Sequence, residues 1–188
     1  MNRAVFLDRD GVINEIIYDY DVGILSPIKL DDFRILPRVK EAIEVFNELG
    51  LKTVVVSNQP QIAKCNMDVS VLTQIDDIMR KEVGIDAVYN CIHHPEIMGE
   101  CECRKPKPGL IRQAAKELDI DIKESYIIGD RVTDLLAGRE CKTKIMIGIL
   151  RCDACKVWEE HNIYPDFIAK DLFEASQFIK KIESRGGK

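Results

Sequence analysis

No apolar run in this chain reaches the eighteen or so residues that a membrane span needs, so no transmembrane segment is expected. Basic charge is in deficit: 27 Lys and Arg face 32 Asp and Glu, for a net charge of −5. Nucleic-acid binding usually needs a basic surface, so that class is set aside. A secretory leader is not expected either, because Met1-Asn2-Arg3 leads into a short apolar run that stops at Asp8. There is no internal repeat and no low-complexity tract. The cysteine count of 7 is odd, which does not suit a disulfide framework, and three of them cluster with a histidine. A reducing cytoplasm with a metal site fits that usage better. What is present is ordinary for a soluble globule: 188 residues, 46% hydrophobic and 31% charged. That is enough for one well-buried domain, read here as 1–183, with Ser184–Lys188 as a fraying tail.

The pattern alternates strand and helix. Strands are expected at Ala4–Leu7, Thr53–Val56, Ala87–Ile92, Tyr126–Ile128, Lys144–Ile149 and Phe167–Ala169, the second being a β-branched run too short for a helix. Helices are expected at Val39–Leu49, Val69–Glu82, Leu110–Leu118, Leu135–Arg139 and Leu172–Ile182. The first of these is periodic at Val39, Ala42, Ile43, Phe46 and Leu49, with Gly50 as its stop. Trp158 and His161 fall in an expected surface helix, as packing rather than site residues. This alternation implies an α/β fold: a Rossmann-like parallel sheet with helices on both faces. Ligands of such sheets bind beyond the carboxyl ends of the strands. Polar residues gather at that edge from distant segments: Asp8 and Asp10, Ser57-Asn58, Arg104-Lys105 and Gly129-Asp130.

Asp8-Arg9-Asp10-Gly11 is the most informative of these. Residues i and i+2 of a strand share a face, so two carboxylates point the same way before a glycine turn. Crowded carboxylates are costly unless a cation sits between them or one holds a proton. Alone, the pattern also fits an Asp-rich turn. Given a phosphate ester, each group has a role. Asp8 would attack phosphorus. Asp10 would protonate the leaving oxygen and then activate water. Magnesium would sit between Asp8, Asp130 and the backbone carbonyl of Asp10. Ser57 and nearby amides would bind the phosphoryl oxygens, and Lys105 would neutralise charge.

The ordered set FLDRDGVIN, VVVSNQ, CRKPKPG and IIGDRVTDLLAG resembles the haloacid dehalogenase-like (HAD-like) hydrolase superfamily, from about Arg3 to Ile149. The resemblance implies a HAD-like fold, an aspartyl-phosphate mechanism and a catalytic magnesium. It leaves Asp134 either binding magnesium through water or ordering the loop. No segment is long enough for a large cap domain, so Ile16–Phe33 and a metal-braced loop would have to enclose the site.

That loop holds Cys91-Ile92-His93-His94 and Cys101-Glu102-Cys103. Three thiolates and one imidazole make a closed tetrahedral zinc site; the alternative is buried, unmetallated cysteines. His93 is the ligand by resemblance, although both histidines are sterically possible. A zinc-stabilised loop on this fold is similar to the group of heptose bisphosphate and histidinol-phosphate phosphatases. CRKPKPG is closer to the heptose enzymes, which implies a small phosphorylated metabolite, a sugar bisphosphate, as the partner of a monomer. The same resemblance places Arg104, Lys105 and Arg131 on the substrate, together with Ser57, Asn58 and Gln59. Two departures bear on the substrate. Pro60-Gln61 stand where the heptose enzymes have Ser-Gly, and proline removes an amide donor. The gap from His93 to Cys101 is also short, nearer the histidinol-phosphate enzymes. Cys152 and Cys155 have C-x-x-C spacing without a partner pair and are read as ordinary cysteines. Two rival functions share the fold: a non-catalytic phosphate-binding module, and a phosphotransferase that passes the group to an alcohol.

Overall fold

The computed structural model describes residues 1–19, 23–150 and 154–186. In chain order the elements are β1 (Arg3–Leu7), a hairpin of β2 (Ile17–Asp19) and β3 (Gly23–Leu25), α1 (Val39–Glu48), β4 (Leu51–Asn58) and α2 (Val69–Ile78). There follow β5 (Ala87–Cys91), α3 (Pro95–Met98), α4 (Gly109–Glu117), β6 (Tyr126–Gly129) and α5 (Val132–Cys141). The last are β7 (Ile145–Ile149), α6 (Ala154–Glu160), β8 (Phe167–Ala169) and α7 (Leu172–Gly186).

Six strands form one sheet in the order β5-β4-β1-β6-β7-β8, and every neighbouring pair is parallel. Such strands are buried on both faces, which is why β1 and β4 read as continuous apolar runs. Alternation sorts their side chains. Val5 and Leu7 join Ile43, Phe46 and Ile179 on one face, while Ala4 and Phe6 join Ile111, Ala114 and Ala137 on the other. Truncating a wholly buried ring such as Phe6 to alanine costs about 3–5 kcal/mol.

The strand order reverses between β1 and β6, and an open α/β sheet makes its crevice at such a switch point. In register, Leu7 lies beside Ile128, so Asp8 and Asp130 emerge together at that edge.

Several elements differ from expectation. α5 starts at Val132, three residues before Leu135, because the Asp134 carboxylate accepts the Arg131 N–H at 2.9 Å and organises the first turn. α2 ends at Ile78, and a π turn at Met79–Val83 completes the periodic stretch. α7 continues to Gly186, so Ser184 is helical, and its hydroxyl donates to the Lys180 carbonyl. Trp158 is a buried packing residue of α6, as expected. It packs with Val132, Leu135 and Ile163, and its ring lies so close to Gly148 that a Cβ there would sit 2.4 Å from it. Cys152 lies outside the described residues. No helix among the described residues is long and apolar enough to cross a membrane.

Candidate active site

The Asp8 N–H donates to the Ile128 carbonyl at 3.0 Å, extending the β1–β6 pairing one residue beyond Leu7. Asp130 follows β6, and Asp134 stands in the first turn of α5. One oxygen from each of these three buried carboxylates lies within 4.8 Å of the others. The cation among them is Lys105. Its Nζ is 2.8 Å from Asp8 Oδ1 and 2.6 Å from Asp134 Oδ1, and its remaining donor goes to the Val56 carbonyl at 2.6 Å. Burial pushes the Asp8 carboxyl up to about 7; Asp134 adds to this, and Lys105 opposes it. Burial alone would lower the Lys105 ammonium, but Asp134 and Asp8 hold it above its usual range. Three carboxylates against one ammonium leave negative charge on hard oxygen donors, the environment that suits magnesium.

The Asp10 side chain faces elsewhere and is not part of that cluster. Gly11, at φ 85°, turns the chain immediately after Asp10. The Asp10 carboxylate accepts from Arg9 Nε, Asn14 Nδ2, Ser26 Oγ and Gln59 Nε2 at 2.8–3.0 Å. Burial opposes its ionisation, yet the Arg9 charge and then the bonds from Gln59, Asn14 and Ser26 hold its carboxyl below the usual range.

The loop after β4 corrects one expectation. Gln59 is wholly buried, and its amide bridges Asp10 and Ser57 while accepting from Arg9. Its side chain bonds Asp10 and does not line the cleft. The Ser57 hydroxyl is buried against Gln59. Asn58 alone of the three lines the cleft. Its side-chain amide grips the Lys105 main chain twice, at 3.0 Å to the N–H and 3.0 Å to the carbonyl.

All of this surrounds a cleft of about 660 Å³. Asp8, Asp10, Asp130 and Lys105 line it with Arg104 and Arg131, and the β3 end contributes Leu25 and Ser26. Trp158 and Val157 complete one wall, although sequence reading assigned Trp158 to packing alone.

A family model described as haloacid dehalogenase-like hydrolase matches residues 15–142. The chain belongs to the haloacid dehalogenase-like hydrolase family. The match begins after Asp8 and Asp10, so those two residues add an independent indication. The chain is 33% identical to a D-glycero-beta-D-manno-heptose-1,7-bisphosphate 7-phosphatase of Haemophilus influenzae, over 97% of this chain and 100% of the relative. It is 34% identical to a D-glycero-alpha-D-manno-heptose-1,7-bisphosphate 7-phosphatase of Photorhabdus laumondii, over 95% of this chain and 97% of the relative. A solved D,D-heptose 1,7-bisphosphate phosphatase from B. bronchiseptica, complexed with magnesium and phosphate, superposes with a TM-score of 0.82 at 25% identity. That superposition covers 96% of this chain and 99% of the other.

This HAD-like hydrolase carries a second cluster beyond β5. Cys91, His93, Cys101 and Cys103 bring one donor atom each within 4.8 Å of one another. The Cys103 sulfur lies 3.1 Å from Cys91, 3.4 Å from Cys101 and 3.2 Å from His93 Nδ1. Disulfide sulfurs would be about 2.05 Å apart, so these are free thiols. Zn–S bonds of about 2.3 Å in a tetrahedron put sulfurs roughly 3.8 Å apart, so the four residues fit that ion with a small expansion. His93, not His94, joins the cluster. Arg104 Nη1 donates to the His93 carbonyl at 3.3 Å, tying the cleft-lining arginine to this loop. Arg131 is exposed at the cleft rim.

Proposed function

We propose that the protein is a magnesium-dependent phosphomonoester hydrolase that removes the 7-phosphate of D-glycero-D-manno-heptose 1,7-bisphosphate through an aspartyl phosphate on Asp8. The observation that carries this reading is the buried Asp8–Lys105–Asp134 ion cluster beside Asp130, on the floor of a cleft that Asp10 also lines. An Asp8 oxygen attacks phosphorus as the bond to the leaving oxygen breaks, and Asp10 supplies that oxygen with a proton. Water then attacks phosphorus, Asp10 takes the water's proton, and the Asp8–phosphorus bond breaks to free inorganic phosphate. The donors around Asp10 favour its ionised form, which suits the base role; the acid role requires it to take up a proton when substrate charge enters.

Lys105 offsets the negative charge at the nucleophile, and Asn58 fixes the main chain that carries it. Arg104 and Arg131 line the cleft beside Lys105 and are the cations that would meet a second phosphate. Magnesium, held by Asp8, Asp130 and the Asp10 carbonyl, would keep Asp8 ionised and neutralise phosphoryl oxygens. Cys91, His93, Cys101 and Cys103 would hold a zinc ion with no open position, which braces the loop and takes no part in the chemistry. Cysteines without a disulfide framework support a reducing cytoplasm as the protein's compartment.

Support for the sugar comes from full-length relatives of that name. Both anomeric forms occur among them at nearly equal identity, so no anomer is assigned. Phosphate release from a panel of sugar mono- and bisphosphates plus histidinol phosphate, with and without magnesium, tests the reading. Heptose 1,7-bisphosphate should give the highest kcat/KM. Preference for histidinol phosphate overturns the substrate, and the absence of magnesium-dependent release overturns the hydrolase.

A further inference from the structure

Asp10 carries more hydrogen bonds than a substrate-facing acid requires. A carboxylate offers about four lone-pair sites. Arg9 Nε and Asn14 Nδ2 reach Oδ1 at 3.0 Å each. Ser26 Oγ at 2.8 Å, Gln59 Nε2 at 2.9 Å and Arg9 Nη2 at 3.2 Å reach Oδ2. Of these donor residues only Ser26 lines the cleft. Arg9 and Gln59 are wholly buried and are themselves joined, Arg9 Nη2 donating to Gln59 Oε1 at 2.9 Å. Arg9, Asp10 and Gln59 therefore close a ring in which every pair is bonded. A buried ion pair is weak grounds for stability, because apolar side chains of similar volume commonly do as well or better. What a bidentate guanidinium adds is geometry.

We propose that Arg9 and Gln59 are positioning residues for the acid–base step. They grip Asp10 from its buried side and aim the Oδ2 edge at the place the Ser26 hydroxyl fills, where the leaving oxygen and then water would bind. This inference rests on the reading of Asp10 as the acid–base group.

The test compares kcat/KM for a sugar phosphate, whose alkoxide leaving group needs a proton, with kcat/KM for p-nitrophenyl phosphate, whose phenolate does not. General acid catalysis is typically worth about 10²–10⁴-fold, and a misplacement of about 1 Å can cost about 10²-fold. Arg9→Met should lower the sugar-phosphate value by about 100-fold or more and the aryl value by about tenfold or less. Gln59→Leu should show the same selectivity with a smaller loss. A general structural defect would lower both substrates equally, and that result overturns the inference. Arg9 is deeply buried, so if Arg9→Met does not fold, Gln59→Leu decides alone by the same criterion. Asp10→Asn separates the two levels. If it shows no selectivity, the acid–base reading of Asp10 fails and takes the inference with it. If it is selective while Arg9→Met and Gln59→Leu are not, only the positioning role is lost.

Discussion

Gly129→Ala is the sharpest steric test of the site. Gly129 ends β6, immediately before Asp130. A Cβ at this position would sit 2.2 Å from Asp134 Cβ and 2.5 Å from its Cγ and Oδ2. Ordinary contact begins at 3.4 Å, so Asp134 must retreat by roughly 1 Å or β6 must move. Either motion strains two bonds at once: Asp134 Oδ2 to the Arg131 N–H at 2.9 Å, and Asp134 Oδ1 to Lys105 Nζ at 2.6 Å. Loss of a helix cap costs about 0.5–2 kcal/mol. Losing one partner of a buried ion pair costs roughly 3–5 kcal/mol. Lys105 keeps Asp8, so the second figure applies only in part, and about 2–4 kcal/mol is expected in all. For a chain of this size that lowers Tm by roughly 5–15 °C. Calorimetry and phosphate release are measured on Gly129→Ala, Asp134→Gly and the double variant. If the clash is the cause, the double variant costs no more than Asp134→Gly alone, because only glycine removes the Cβ that lies 2.2 Å away, and that is a strong coupling of opposite sign. A Gly129→Ala protein within about 0.5 kcal/mol of the parent, or costs that simply add, would refute the steric argument.

Asp8→Asn should nearly abolish phosphate release while leaving a cooperative melt, because the amide is a poor nucleophile but removes a charge that burial and Asp134 already disfavour. Near-parental turnover would sink the mechanism. Magnesium affinity should depend on pH. The Asp8 carboxyl is pushed from 3.8 up to about 7 in the folded, metal-free protein, so the native state binds the extra proton, and ionising this group costs stability progressively from pH 3.8 to about 7. Magnesium must displace that proton, so its affinity should weaken by about tenfold per pH unit below 7 and level off above it. Titration calorimetry that finds a flat affinity would refute the competition. Zinc should be present at one ion per chain by elemental analysis and be lost in Cys101→Ala/Cys103→Ala, with KM raised because Arg104 and Lys105 lose their brace. Zinc retained in that variant would exclude the four-ligand site.

The strands at the centre of the sheet were legible because burial on both faces forces unbroken apolar runs, as in Val54-Val55-Val56. The β2–β3 hairpin was not, since strands of three residues leave no periodicity to read. The start of α5 was hidden for a different reason. Its cap residue is Arg131, outside the set of short polar side chains that announce a helix, and the organising acceptor lies downstream at Asp134.

Within the site, Asp8 and Asp130 were legible as the first acids beyond adjacent strands, whereas Gln59 was read onto the wrong side. Alternation carries the correction. At the end of β4, Asn58 turns to the cleft, and Ser57 and Gln59 turn inward together. Parity also separates Arg9 from the carboxylates flanking it. A guanidinium following Ala4–Leu7, all wholly buried, has to find its partners indoors. Composition cannot name those partners, because one of them, Gln59, lies fifty positions away. The same limit applies to Lys105. It reaches Asp8 from a long connection that has no regular structure between α3 and α4, and its placement depends on two clamps. The Asn58 amide holds its main chain, and the Cys–His cluster anchors the residues just before it through Arg104. A loop held at both points can deliver a buried ammonium between two carboxylates, which an unbraced loop of that length would be ill placed to do.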